Sequence, residues 1–138
     1  MPIRYLACMA LVANIYGLPP RVLPSIQHVE GGEAGLVKPD SNNSADLGVM
    51  QVNTIWLGPL SAYSGLSEDR VYRRLVSDPC FNIAAAGAIL RSYLNEAHGD
   101  LMKAVGYYHS HTALLGDDYR QQVLRAAREL FQNRQQVR

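Results

Sequence analysis

The chain has 138 residues and a formal net charge of +1, with 48% hydrophobic and 18% charged residues. That length fits one domain with a substantial core. Lysines and arginines are scattered, with some gathering towards the C-terminus, which does not make the basic face or stripe usual for a nucleic-acid partner, and no apolar run is long enough to span a membrane.

In chain order, Ile3 to Tyr16 reads as an apolar helix ended by Gly17, with Pro19 and Pro20 beyond it. Arg4 and the apolar stretch to Ala13 also have the form of a weak signal peptide, whose cleavage after Ala13 would remove Cys8. The reading adopted is the first helix of the domain, with any signal peptide upstream. Val22, Leu23, Ile26 and Val29 form a second helical stripe, with Pro24 tolerated in its first turn. Gly31 and Gly32 end this helix, which leaves Glu30 as its last residue and aims it into a cleft. A glutamate buried beside Val29 is a candidate for a raised pKa and an acid role; a solvated helix-end residue is the alternative.

The stretch from Glu33 to Ala45 has turn chemistry throughout. Leu47 to Val52 reads as a short strand or a helix start, and these alternatives stay open. Gln51 lies among apolar residues and must find hydrogen-bond partners there. Thr54 is expected to cap a short helix carrying Ile55, Trp56 and Leu57, and Ser67 to cap another with Val71, Leu75 and Val76 inward. Asp78 and Pro79 open the clearest helix, which runs to His98 and Gly99 with Ala84, Ala85, Ala88, Ile89 and Leu94 suited to a central position. Asp100 caps the next, through Tyr108. A loop from Ser110 to Gly116 leads to a last helix from about Asp117 to Phe131 with Val123, Leu124, Ala127 and Leu130 inward. Residues 1–131 make one domain, and 132–138 a frayed tail.

Three short motifs stand in order: Glu30-Gly31, then Gly48-Val49-Met50-Gln51-Val52, then Tyr108-His109. They resemble the motifs of the lytic transglycosylases, the soluble-transglycosylase or goose-lysozyme-like enzymes that cut peptidoglycan. The usual pattern there is Glu-Ser, Gly-Leu-Met-Gln-Ile and Tyr-Asn. The resemblance covers roughly Cys8 to Tyr119 and implies a mainly α, lysozyme-like domain with a very small β element near 41–53. Tyr108-His109-Ser110 and Asp78-Pro79-Cys80-Phe81-Asn82 also look like the specialised branch of secretion, pilus and conjugation machines. That likeness implies a Cys8–Cys80 disulfide and an oxidising compartment, the periplasm or cell envelope. The bridge closes a loop of about 70 residues, worth about 3–4 kcal/mol in the chain-entropy view.

The resemblance further implies one catalytic carboxylate, Glu30, where most glycosidases use two. Glu30 first protonates the bond after the N-acetylmuramic acid sugar, then removes the proton of that sugar's C6 hydroxyl, which closes on C1 as a 1,6-anhydro end. Gln51, Asn53, Tyr108 and His109 are the expected sugar contacts, with the Tyr108 hydroxyl orienting Glu30 or the substrate acetyl group. Gln51 satisfying only local backbone is the alternative. Two residues depart from the pattern, Gly31 for Ser and His109 for Asn, and Ser41 or Ser44 is expected to supply the hydroxyl that Gly31 lacks.

Glu33 is the rival carboxylate, expected to face solvent. Asp40 and Asp46 are read as turn and cap residues, or as a second carboxylate for hydrolysis. His109 and His111 diverge on a helix and lack the companions of a metal site, so no metal and no cofactor is expected; His28 is expected to face away from Glu30. Trp56, Tyr63, Tyr93 and Tyr107 are candidates for sugar stacking or for core packing. The expected partners are peptidoglycan glycan strands and components of an envelope-spanning machine, with the enzyme a monomer. The competing readings are a hydrolytic muramidase on the same fold and a non-catalytic wall-binding assembly protein.

Overall fold

Three helices begin where a short polar side chain accepts an otherwise unpaired backbone N–H. Ser67 accepts from the Arg70 amide, Asp78 from Phe81 and Asp100 from Lys103. The computed structural model describes residues 3–132; the expected frayed tail lies, apart from Gln132, outside them. The helices are α1 (Leu6–Tyr16), α2 (Val22–Glu30), α3 (Leu57–Ser64), α4 (Glu68–Ser77), α5 (Pro79–Glu96), α6 (Leu101–His109) and α7 (Ala113–Ala127), which runs on into a π-helical turn, Arg128–Gln132. No described helix is long and apolar enough to cross a membrane.

Helix α5 is central. It packs against α1, α4 and α6, while α7 covers α2 and α6. Ile83, Ala86, Ile89 and Leu90 of α5 are buried together with Met9 and Val12 of α1 and Leu23 and Ile26 of α2. The resulting architecture is the mainly α, lysozyme-like one expected. Cys8 and Cys80 are joined by a disulfide across a 5.6 Å Cα–Cα separation, which ties α1 to the start of α5.

The β element is larger than expected. Strands β1 (Val37–Pro39), β2 (Ala45–Leu47) and β3 (Val52–Asn53) form an antiparallel sheet in chain order. β1 lies upstream of 41–53, inside the stretch read as turns, because its partner supplies the hydrogen bonds that its own composition does not predict. Cross-strand pairing sets Lys38 opposite Asp46 and Asp46 opposite Asn53, one polar row on one face. The segment from Leu47 to Val52 is neither strand nor helix throughout. It is a tight turn between β2 and β3, closed by the Gln51 amide on the Gly48 carbonyl at 3.1 Å.

Two boundaries also differ. Asn53, not Thr54, caps the 3-10 turn Thr54–Trp56 by accepting from the Ile55 amide at 2.9 Å, while the Thr54 hydroxyl accepts from the Ala45 amide. Helix α7 starts at Ala113 rather than Asp117, and Gly116 is inside it. Gly116 lies against Gly106 of α6, and an added Cβ there would meet the Ser110 carbonyl oxygen at a tight 3.2 Å. The inward stripe of α7 is accordingly Tyr119, Val123 and Ala126, while Leu124 is exposed.

The turn at 48–51 is held from below by Asn82, which is fully buried near the start of α5. Its carbonyl accepts from the Met50 amide at 2.7 Å, and its amide nitrogen donates to the carbonyls of Leu47 and Leu75, both at 2.8 Å. Replacing Asn82 with alanine orphans three buried backbone groups. Asn82→Ala is expected to cost about 3 kcal/mol, read as a fall in the urea midpoint.

Candidate active site

Glu30 ends α2 because Gly31, at φ +66°, caps the helix in a left-handed conformation that suits glycine. Gly32 then passes directly under the 48–51 turn. A Cβ on Gly32 would lie 2.1 Å from the Gly48 carbonyl oxygen, so only glycine fits. Gly48 is equally confined, with φ +68° and a would-be Cβ 2.2 Å from the Leu75 carbonyl oxygen. These two contacts press the end of α2 against the turn and bring Glu30 and Gln51 to one cleft of about 400 Å³.

Gln51 is only 7% exposed and holds a left-handed backbone, φ 55°, that costs an L-residue about 1 kcal/mol. Its side-chain nitrogen donates to the Gly48 carbonyl at 3.0 Å, so one end of the amide satisfies local backbone while the residue lines the cleft.

The hydroxyl that touches Glu30 is that of Tyr119, which donates to Oε2 at 2.6 Å. The Tyr108 hydroxyl donates instead to the Met50 carbonyl at 3.0 Å and so steadies the turn. The Tyr108 and Tyr119 rings lie 6.5 Å apart, and His109 stacks on Tyr119 at 4.9 Å. Burial, the largest effect, raises the Glu30 pKa above its ordinary 4.5. The Tyr119 bond opposes it, the negative charge of Asp46 adds to it, and Lys38 opposes it. Burial also raises both tyrosines, which therefore stay protonated donors.

Across the cleft, the Asn53 amide nitrogen donates to Asp40 Oδ2 and Asp46 Oδ1, both at 2.9 Å, and to the Ser44 hydroxyl at 3.1 Å. Asn53 lines the cleft, but its side chain is spent on holding these carboxylates and on the cap at Ile55. Ser44 also donates to Asn42 at 2.6 Å and lies within this cluster. Ser41 is exposed and does not line the cleft, so neither serine replaces the hydroxyl missing at Gly31; Tyr119 supplies one. Burial and neighbouring Asp40 raise the Asp46 pKa, against the Asn53 bond.

The aromatic wall is continuous. Trp56 meets Tyr93 edge-on at 5.8 Å, Tyr93 meets Tyr107 at 6.0 Å, and His111 stacks on Tyr107 at 4.1 Å while paired with Glu96. Tyr63 lies outside the cleft. Glu33 is exposed, and His28 points to Glu129 at 3.2 Å, on the outer side of α2. Sequence reasoning placed Tyr119 in the last helix but missed it because the inward face was read as Val123, Leu124, Ala127 and Leu130. The signal it had was the 119–123–126 spacing of one helical face.

A part-buried carboxyl with a raised pKa, set beside polar groups and an aromatic wall in a lysozyme-like fold, suits the cleavage of glycosidic bonds. A family model described as the transglycosylase SLT domain matches residues 8–131, and the chain belongs to that family of peptidoglycan lytic transglycosylases. Among curated proteins none matches.

Because the folded-state pKa of Glu30 lies above its ordinary value, its neutral form fits the fold better than its anion. The contribution of Glu30 to stability is full below its ordinary value of 4.5 and is lost as pH rises through the folded pKa. Glu30→Gln is expected to melt above wild type at pH 7, the gap closing towards pH 4 in thermal scans. Tyr119→Phe removes the bond that favours the Glu30 anion. It is expected to slow turnover about tenfold and to move the alkaline limb of the pH–rate profile upward.

Proposed function

We propose that Glu30 is the single catalytic acid and base of a transglycosylase reaction on the MurNAc–GlcNAc β-1,4 bond. The carrying observation is the desolvated Glu30 carboxyl with the Tyr119 hydroxyl fixed on Oε2 at 2.6 Å. The protonated carboxyl gives its proton to the bridging oxygen as the C1–O bond breaks. The muramic N-acetyl group helps to stabilise the cationic C1. The Glu30 carboxylate then takes the proton of the C6 hydroxyl, O6 bonds to C1, and a 1,6-anhydro end forms with no water consumed. Tyr119 holds one carboxylate oxygen through both proton transfers, and Gln51 and His109 line the sugar's path.

Residues 1–131 act as one domain in this reading, supported by the single continuous core. The Cys8–Cys80 bridge and Tyr108-His109-Ser110 support a periplasmic enzyme that opens the wall locally for a secretion, pilus or conjugation apparatus. Its machine partners follow from that likeness to the specialised branch.

One observation favours the muramidase instead. Asp46 lines the same cleft, and its charge acts on Glu30, so a second carboxylate stands ready to activate water. Mass spectrometry of digested peptidoglycan separates the two. Wild type is expected to release anhydromuramyl ends, and Glu30→Gln to slow their release by about a hundred- to ten-thousandfold. Products carrying an added water, lost in Asp46→Asn, establish the muramidase. Wall binding without turnover leaves the assembly protein.

A further inference from the structure

The cleft has a continuation past Trp56. A second groove of about 300 Å³ shares Trp56 and Ile89 with the first, so the indole stands as a common wall between them. Tyr16, Pro59, Leu60, Tyr63 and Ala88 form the rest of its apolar lining, and Arg91, Ser92 and Asn95 line it as well. Tyr63 is 70% exposed, yet its hydroxyl lies 3.1 Å from that of Tyr16, which links α3 to α1 at this edge. An aromatic ring left largely in water contributes little to folding through burial. Held by a hydrogen bond at the end of a cleft, it is instead preorganised for a ligand.

The occupant follows from continuity. Peptidoglycan strands are polymers, so a strand with one bond at Glu30 must leave the cleft and run on over the surface. The groove adjoins the cleft at Trp56, and its tyrosine and tryptophan faces match the apolar C–H faces of pyranose rings. Arg91, which donates to Asn95 Oδ1 at 2.7 Å, adds polar groups to the lining that suit hydroxyl and acetamido substituents. We propose that the Tyr16–Trp56–Tyr63 groove is a distal sugar-binding stretch that holds the continuing part of the same glycan strand and makes the enzyme favour long strands. This rests on the lytic transglycosylase reading for the identity of the strand but not on the role of Glu30.

The test measures binding, so that it stands apart from turnover. In the Glu30→Gln background, affinity is measured for a peptidoglycan tetrasaccharide and for long purified glycan strands, with Tyr63 intact, Tyr63→Ala or Tyr63→Phe. Tyr63→Ala is expected to lower long-strand affinity about tenfold relative to tetrasaccharide affinity, the loss of one stacked ring. Tyr63→Phe, which keeps the ring, is expected to retain most of the long-strand advantage. Equal losses on both ligands, or no loss on either, overturn the proposal. Long-strand preference that depends on Tyr63 in a protein whose wild type releases no cleavage products sustains the groove and overturns the catalytic reading instead.

Discussion

One buried amide holds the working parts together. Asn82 spends its carbonyl on the Met50 amide and its nitrogen on the carbonyls of Leu47 and Leu75. Three backbone segments that no regular element pairs there, the end of β2, the turn and the last residues of α4, are satisfied by a single side chain on α5. The low dielectric that makes such groups costly when unpaired is what makes this clamp specific. Gly48 packs against the same amide, with a would-be Cβ 2.6 Å from Asn82 Nδ2, so turn and clamp are fitted to each other. The positions of Gln51, of the Met50 carbonyl that Tyr108 reaches, and of Gly32 beneath the turn all follow from it.

The proposed chemistry depends on a balance around Glu30. Burial favours the neutral acid, and the Tyr119 hydroxyl favours the anion. In the proposed reaction the carboxyl first gives a proton and then takes one back, and both effects serve that cycle. Burial alone would oppose the ionised intermediate state, whereas a strong donor alone would leave no proton to give at neutral pH. Burial is the larger effect. The Asp46 charge reinforces it and Lys38 offsets part of it, and cross-strand pairing places those two opposite each other.

Much of this was legible from local sequence. Glu30 as the last residue before two glycines, the caps at Ser67, Asp78 and Asp100, and Gln51 set among apolar residues all follow from rules acting over four residues. The three motifs carried the family, and a matching family model bears that out. Other features were hidden. Asn82 looked like part of a cysteine context, although a polar residue in the buried opening of an apolar helix must find partners. Asn53 looked like a sugar contact, yet its nitrogen meets two carboxylates brought to it by strand pairing. Val37–Pro39 has turn composition, and it is a strand only because Ala45–Leu47 lies beside it.

By itself, the sequence determined the helical class, most helix starts, the carboxylate that ends α2 and the family. Each of these is encoded in spacing along the chain, where neighbours within a turn or two decide the outcome. Tertiary structure alone decided which hydroxyl meets Glu30. Tyr108 lies 78 positions beyond it and Tyr119 lies 89 beyond it. The choice between them turns on how α7 rests on α6 at Gly106 and Gly116, a contact between helix backbones that no local pattern records. The same holds for the groove beyond Trp56, where α1, α3 and α5 each contribute a wall that none of them carries alone.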